Sequence, residues 1–295
     1  MDQIRDAIFR GRTEILDADL SAYFDTIPHG RLMKLVARRV SDGSILRLVK
    51  AWLRSPIIER DKEGTTRTLP NKKGTPQGGV ISPLLANLYL NDLDHAVPER
   101  TQGQAVMVRY ADDFVICCPT GKGEELKART KRWLGSRGLK LNEEKTRLVN
   151  LREKHSSIKF LGFTVNLRKS LNGSKIYAHM EPSARSQQRL REKVRKELNR
   201  STQWKSPEEV VAKVNVKVRG WQGYYHYANS SNVFGKLTHW MNERLARWDW
   251  RKHACKGSLW IDHKPRKIAD QYGLHQLPLT AKWKKPHKPP MNRTR

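Results

Sequence analysis

The stretch that most constrains the fold is Val106-Met107-Val108-Arg109-Tyr110-Ala111-Asp112-Asp113-Phe114-Val115-Ile116-Cys117-Cys118. Two apolar, β-branched runs flank a tight Ala-Asp-Asp segment, which predicts a hairpin with two carboxylates at its tip. Adjacent carboxylates between hydrophobic strands repel one another and resist desolvation. A divalent cation removes that cost, because hard oxygen ligands suit Mg²⁺. Taken alone, the stretch fits a solvated acidic turn equally well.

The charge balance narrows the partner. Lys and Arg number 58 against 29 Asp and Glu, giving a net charge of +29 and a pI near 10.3. Such an excess repels itself and calls for a large polyanion, either nucleic acid or an acidic membrane surface. No long apolar run or signal-peptide pattern is visible, so a membrane partner is not expected and nucleic acid is favoured. Cys117, Cys118 and Cys255 have no zinc-site spacing and read as free thiols in a reducing cytoplasm. The ten histidines are scattered. At 295 residues the chain can bury a core, in one or two domains.

Taken in order, residues 1–12 read as the end of an amphipathic helix stopping at Gly11. Residues 13–20 alternate as a strand with Asp17 and Asp19 on one face. Tyr23-Phe24-Asp25 marks a bend, and helices are predicted from Pro28 to about Val40 and over Ser44–Leu53. Pro56–Arg60 and Arg67–Leu69 form a short hairpin. Lys73-Gly74-Thr75-Pro76-Gln77-Gly78-Gly79-Val80 is a loop of unusual backbone geometry, and Ser82-Pro83 opens an apolar helix. After the acidic hairpin come a helix over Gly123–Ser136 and strands over Leu148–Leu151, Phe160–Val165 and Lys175–His179.

Strand, helices, hairpin, helix, strand is a split βαβ, ferredoxin-like order in an α+β chain. It sets the first strand beside the central hairpin and Asp19 close to Asp112 and Asp113. Beyond about residue 180 the texture becomes basic and helical, over Ser183–Arg200, Ser206–Tyr227 and Asn232–Trp250. Residues 251–295 read as a basic extension, with Lys282–Pro290 an extended arm. Trp204, Trp221, Tyr224, Tyr225, Tyr227, Trp240, Trp248 and Trp250 are expected mostly as core rings, with RNA contacts on the basic faces.

"DADLSAYFDTIPH", "GTPQGGVISPLLANLYLNDLD", "RYADDFVICC", "LNEEKTR" and "FLGF" stand in the order of the reverse transcriptase palm motifs. They resemble group II intron reverse transcriptase/maturases over roughly residues 10–165. "VRGWQGYYHYANSSNVFGKLTHWMNERLARW" is similar to the maturase thumb, or domain X, of the same family. The resemblance implies a palm over 1–180, an α-helical thumb over 181–250 and a basic extension over 251–295. It also implies RNA-directed DNA synthesis by two-metal nucleotidyl transfer. Asp19, Asp112 and Asp113, with the Leu20 carbonyl, would hold two Mg²⁺ ions, for which Mn²⁺ can substitute.

By the same resemblance Phe24 lies beneath the incoming sugar, and Gln77 and Gly78 meet the incoming nucleotide. Lys145 stands near the leaving pyrophosphate, and Phe160, Leu161 and Gly162 form the primer grip. The implied partners are group II intron RNA as template and splicing substrate, a DNA primer or target, and dNTPs. Only about a dozen residues precede Ile15, where the family carries its fingers. Either the chain is a fragment, or its fingers come from another polypeptide in trans, or polymerisation has been lost, which leaves a splicing cofactor that performs no chemistry beside the polymerase reading.

Overall fold

The computed structural model describes residues 1–60, 64–75, 78–170, 173, 176–253 and 263–279. The fold is mixed α/β with antiparallel sheets. It divides into two units, Met1–Ile158 with Leu167–Ala178, and Lys159–Asn166 with His179–Arg295.

The first unit opens with α1 (Asp2–Phe9), β1 (Glu14–Ala18), α2 (Tyr23–Thr26), α3 (His29–Ala37) and α4 (Gly43–Arg54). A two-stranded hairpin follows, β2 (Ile57–Arg60) and β3 (Thr66–Leu69), then the long helix α5 (Ser82–Arg100). The hairpin predicted around Ala111 is β4 (Val106–Tyr110) and β5 (Asp113–Cys118), followed by α6 (Gly123–Ser136) and β6 (Arg147–Asn150). Local chemistry fixes several boundaries. Asp42 Oδ1 accepts the Ser44 and Ile45 amides at the start of α4. Glu14 Oε2 accepts the amides of Gly121, Lys122 and Gly123, supplying a carboxylate to the positive end of α6.

The four-stranded sheet has the order β4-β5-β1-β6, and its paired strands are antiparallel. The first strand thus lies between the acidic hairpin and β6. Strand alternation sorts the residues onto two faces. Leu16, Ala18, Leu20, Phe114, Ile116 and Cys118 join the core with the apolar stripes of α3, α5 and α6. Asp17, Asp19, Asp113, Val115 and Cys117 therefore project from the opposite face. Cys117 and Cys118 are buried free thiols, and burial pushes both up to about 12.

Residues 158–165 depart from the single strand expected around Phe160–Val165. They form two strands, β7 (Ile158–Phe160) and β8 (Phe163–Lys169), with Leu161 and Gly162 both left-handed at φ 48° and 79°. Two consecutive positive φ values make the tight turn that joins antiparallel strands, which an apolar run does not advertise. With β9 (Ile176–Pro182) they form the sheet β7-β8-β9.

The second unit is built on α7 (Ala184–Glu197), α8 (Pro207–Tyr225) and α9 (Ser231–Lys252). Ser183 and Ser206 cap α7 and α8, and Pro207, Glu208 and Glu209 open α8 in the preferred first-turn order. Within the basic extension read over 251–295, residues 263–279 carry α10 (Pro265–Gln271), which packs on α9. Ile268, Ala269, Leu274 and Leu277 are buried there, while Leu279 is exposed. Lys282–Pro290 and Cys255 lie outside the described residues. Among the described residues no helix is long and apolar enough to cross a membrane.

Candidate active site

The register places the acidic residues. β1 pairs with β5 from Glu14↔Cys118 to Ala18↔Phe114, so continuing by one residue sets Asp19 opposite Asp113. Directly opposed positions hold Cβ atoms about 4.5–5.5 Å apart. Asp112 occupies the hairpin tip beside them, between the paired residues Tyr110 and Asp113. Asp113 is exposed at the start of β5, yet partial desolvation, then the carboxylates of Asp112 and Asp19, push its carboxyl above the usual range, and Lys145 opposes them. The three acidic residues singled out from the sequence are therefore brought together.

The tip is held by residues that the motif reading missed. Ala111 is left-handed at φ 57°, a conformation that costs an L-residue roughly 1–2 kcal/mol. Arg109 Nη1 donates to the Ala111 carbonyl at 2.8 Å and to Asn87 Oδ1 at 3.0 Å, and the guanidinium forks onto the Asp94 carboxylate. The signal was present in the alternation. Arg109 pairs with Phe114 and so faces the core side, where a guanidinium needs partners, and Asn87 and Asp94 stand two helical turns apart on α5. The Arg109 side chain is 11 % exposed, so Arg109→Ala leaves Asp94 partly buried without its cation. The expected loss is about 3 kcal/mol in urea unfolding, with Arg109→Lys intermediate because the fork is lost.

Asp17 joins the acidic face. Its carboxyl is raised from 3.8 to about 6 by burial first, against the opposing charge of Arg147 across from it on β6, with Asp113 and Asp19 adding to the rise. The folded state thus holds this proton more tightly than the unfolded chain. The resulting stability is fully present below about pH 3.8 and is lost as pH rises through about 6. Asp17→Asn is expected to raise the melting temperature at pH 7.5 in EDTA and to change it little at pH 4.

The loop after β1 places the other candidates of this unit. Leu20 is buried and bridges to Leu141, and the Asn142 amide donates to the Asp19 carbonyl at 2.8 Å. Lys145 Nζ lies 3.4 Å from Asp19 Oδ2 with its side chain 68 % exposed. Phe24 is half-buried on α2, edge-on to Tyr23. The start of the Gly-rich loop is stitched to that turn: the Gly74 amide donates to Ile27 O, the Thr75 amide to Phe24 O, and Gly74 O meets His29 Nε2 at 2.6 Å. Gly78 is left-handed at φ 95° with open space where a Cβ would stand. Gln77 lies outside the described residues.

In the second unit Phe160 is buried, and the Leu161-Gly162 turn is gripped by α8. Tyr224 Oη donates to Leu161 O at 3.0 Å, and the Ser183 amide donates to Gly162 O at 2.8 Å. A Cβ on Gly162 would stand 2.5 Å from Tyr225 Oη. Gly162→Ala is expected to cost about 2 kcal/mol in thermal unfolding, with Tyr225→Phe restoring part of it. The rings sort as core for Trp248 and Tyr225, while Trp204, Tyr224 and Tyr227 are exposed.

The donor set bears on a metal. Hard carboxylate oxygens, crowded until one is pushed toward protonation and met by a lysine, are the chemistry a Mg²⁺ ion satisfies. Among the described residues no three His, Cys, Asp or Glu side chains enclose an ion by themselves. Mg²⁺ is commonly held by one or two carboxylates with substrate phosphates, so a closed protein cage is not required.

The acidic hairpin thus lies on an antiparallel sheet of a mixed α/β chain whose second unit is largely helical. The profile described as reverse transcriptase (RNA-dependent DNA polymerase) matches residues 6–165, and the chain belongs to that family. The group II intron, maturase-specific domain matches residues 187–267.

Protein YkfC of Escherichia coli is 32% identical over 197 residues, covering 56% of this chain and 49% of YkfC. The group II intron-encoded protein LtrA of Lactococcus lactis is 26% identical over 227 residues, covering 55% of this chain and 36% of LtrA. The chain thus spans about half the length of YkfC and less of LtrA. A telomerase from Candida tropicalis, solved with a telomeric RNA fragment, superposes with a TM-score of 0.48 at 13% identity, covering 95% of this chain and 53% of that one.

Proposed function

We propose that the chain is an RNA-directed DNA polymerase of the group II intron type, its first unit a palm and its second a maturase thumb. The observation that carries this reading is the β1–β5 register, which opposes Asp19 to Asp113 beside Asp112 in a chain of the reverse transcriptase family. Asp19, Asp112 and Asp113, with the Leu20 carbonyl, would hold two Mg²⁺ ions. Bound there, the ions would lower the pKa of a primer 3′-hydroxyl and neutralise charge on the leaving pyrophosphate.

The chain's own residues supply positioning and charge. Lys145, exposed and within 3.4 Å of Asp19, offers an ammonium to the departing phosphates. Phe24 offers a ring edge against the 2′ position of the sugar. Gly78, with Gln77, lets the backbone approach the nucleotide closely. The Leu161-Gly162 turn backed by Tyr224 and Tyr225 would seat the primer end. Phe24→Val is expected to raise ribonucleotide incorporation relative to deoxynucleotide incorporation by at least about tenfold, a shift of about 1.4 kcal/mol in discrimination. Unchanged discrimination would leave Phe24 a core aromatic.

The direct test is Mg²⁺-dependent primer extension on an RNA template by the full chain and by Asp112→Ala/Asp113→Ala, each with and without a separately supplied fingers segment. Wild-type extension lost in the double variant is expected, and equal activity in both sinks the reading. The fingers arm reports whether that segment is a partner in trans.

A second reading, a splicing cofactor that folds intron RNA without chemistry, is favoured by the maturase-specific match over 187–267 and by the net charge of +29. On that reading the Asp variant still promotes splicing, and intron affinity falls steeply with salt.

A further inference from the structure

On the core side of the sheet, turned away from the acidic face, α5 and α6 leave a cleft of about 800 Å³ between them. Its floor is aliphatic and aromatic, with Leu93, Val97, Leu126 and Trp133 all buried. Its rim carries Arg100, Arg129, Arg132 and Arg137. A second cleft of about 270 Å³ shares Arg100, Thr101, Leu126 and Arg129 and continues past Lys122 at the start of α6. The two form one trough along a helix of 14 residues, about 21 Å long.

The charges on this trough are unbalanced. Glu125 meets Arg129 at 2.8 Å and Lys122 at 3.7 Å, and Asp92 meets Arg137 at 2.9 Å and Arg38 at 3.9 Å. Arg100 and Arg132 have no carboxylate within ion-pair distance among the described residues. Arg137 already lies over the Trp133 ring, 4.8 Å from its centroid. Cations on the rim and apolar carbon beneath match a ligand with an anionic backbone and flat apolar faces.

We infer that the α5–α6 trough binds a single-stranded segment of RNA that is not being copied, with phosphates on Arg100, Arg129 and Arg132 and a base stacked on the Arg137 guanidinium that covers Trp133. A duplex would present phosphates to the rim with its bases already paired, whereas a single strand has free bases to stack on the guanidinium plane. The inference takes from the proposed function only that the polyanion is RNA. Because the trough and the acidic face lie on opposite sides of the sheet, one RNA could be held at the trough while another stretch is templated.

The test measures binding of a short unstructured RNA to the full chain across a salt series. Arg100→Gln/Arg132→Gln is compared with Arg47→Gln/Lys50→Gln, which removes the same charge from α4. Two lost phosphate contacts lower the magnitude of the log–log salt slope by about 1.4 for a single strand. That drop is expected in the trough variant and not in the control. Crosslinks from thiouridine-substituted RNA are expected in residues 93–101 and 122–137.

Equal slopes in the trough variant and wild type would overturn the inference. So would crosslinks confined to other segments, or a variant that loses an acidic amphipathic peptide while keeping its RNA slope. Primer extension by the same trough variant is expected to be unchanged at saturating primer–template. A failed trough is thereby told apart from a failed polymerase.

Discussion

Asp113→Asn is expected to remove primer extension on RNA by at least about 10²–10³-fold while making the folded chain more stable in EDTA. The two effects share one cause. Partial desolvation and the neighbouring Asp112 and Asp19 carboxylates work against ionisation of Asp113, and Lys145 opposes them. An amide of the same shape keeps the packing and removes that repulsion, but it cannot serve as an anionic ligand. A residue kept only for folding would show the reverse pattern, with stability lost together with activity. The melting temperature of Asp113→Asn should therefore rise above wild type without divalent cation. Added Mg²⁺ with primer–template and dNTP should stabilise wild type more than the variant, because a ligand stabilises only the state that binds it. A variant that melts below wild type and still extends primers would contradict both halves.

Gly74→Ala is expected to be the most damaging single substitution in the first unit. Gly74 has φ 88°, and an added Cβ would lie 2.7 Å from the Phe24 carbonyl oxygen and 2.8 Å from the Cα and carbonyl carbon of Asp25. These are backbone atoms, so no side chain can swing aside. Relief requires separating the loop from α2, which breaks the Thr75–Phe24 and Gly74–Ile27 hydrogen bonds. The cost should exceed about 3 kcal/mol in urea unfolding. Gly11→Ala is the matched control, left-handed at φ 84° with nothing within 4 Å of the added carbon, and should cost only about 1 kcal/mol. Any Gly74→Ala protein that remains folded should show a raised KM for dNTP, because the loop and Phe24 move together.

Most of the first unit is legible in the sequence because its signals are local. Two β-branched runs around Ala111-Asp112 specify the hairpin, and the period of two in residues 14–20 puts Asp17 and Asp19 on one face. The order of elements then leaves β1 next to β5, so the meeting of Asp19 and Asp113 follows from topology.

Other features depend on partners far along the chain. The grip of Arg109 on Asp94 and Ala111, the stitching of Gly74 to α2, and the α10 segment covered by α9 all need the tertiary fold to become visible. The Leu161-Gly162 turn was hidden for another reason. Leucine in a left-handed turn goes against its own propensity and is held there by Ser183, Tyr224 and Tyr225 around it, contacts that no window of the sequence contains.

The central claim, that Asp19, Asp112 and Asp113 act as ligands of catalytic cations, is tested most directly by changing the ligand and the metal together. Asp113→Cys replaces a hard oxygen with a soft thiolate, which favours softer metals over Mg²⁺. Primer extension by this variant should be lost with Mg²⁺ and recover at least in part with Mn²⁺ or Cd²⁺, relative to wild type under the same ions. Extension by Asp113→Cys with Mg²⁺ at the wild-type rate would show that the hairpin carboxylate does not hold the catalytic ion.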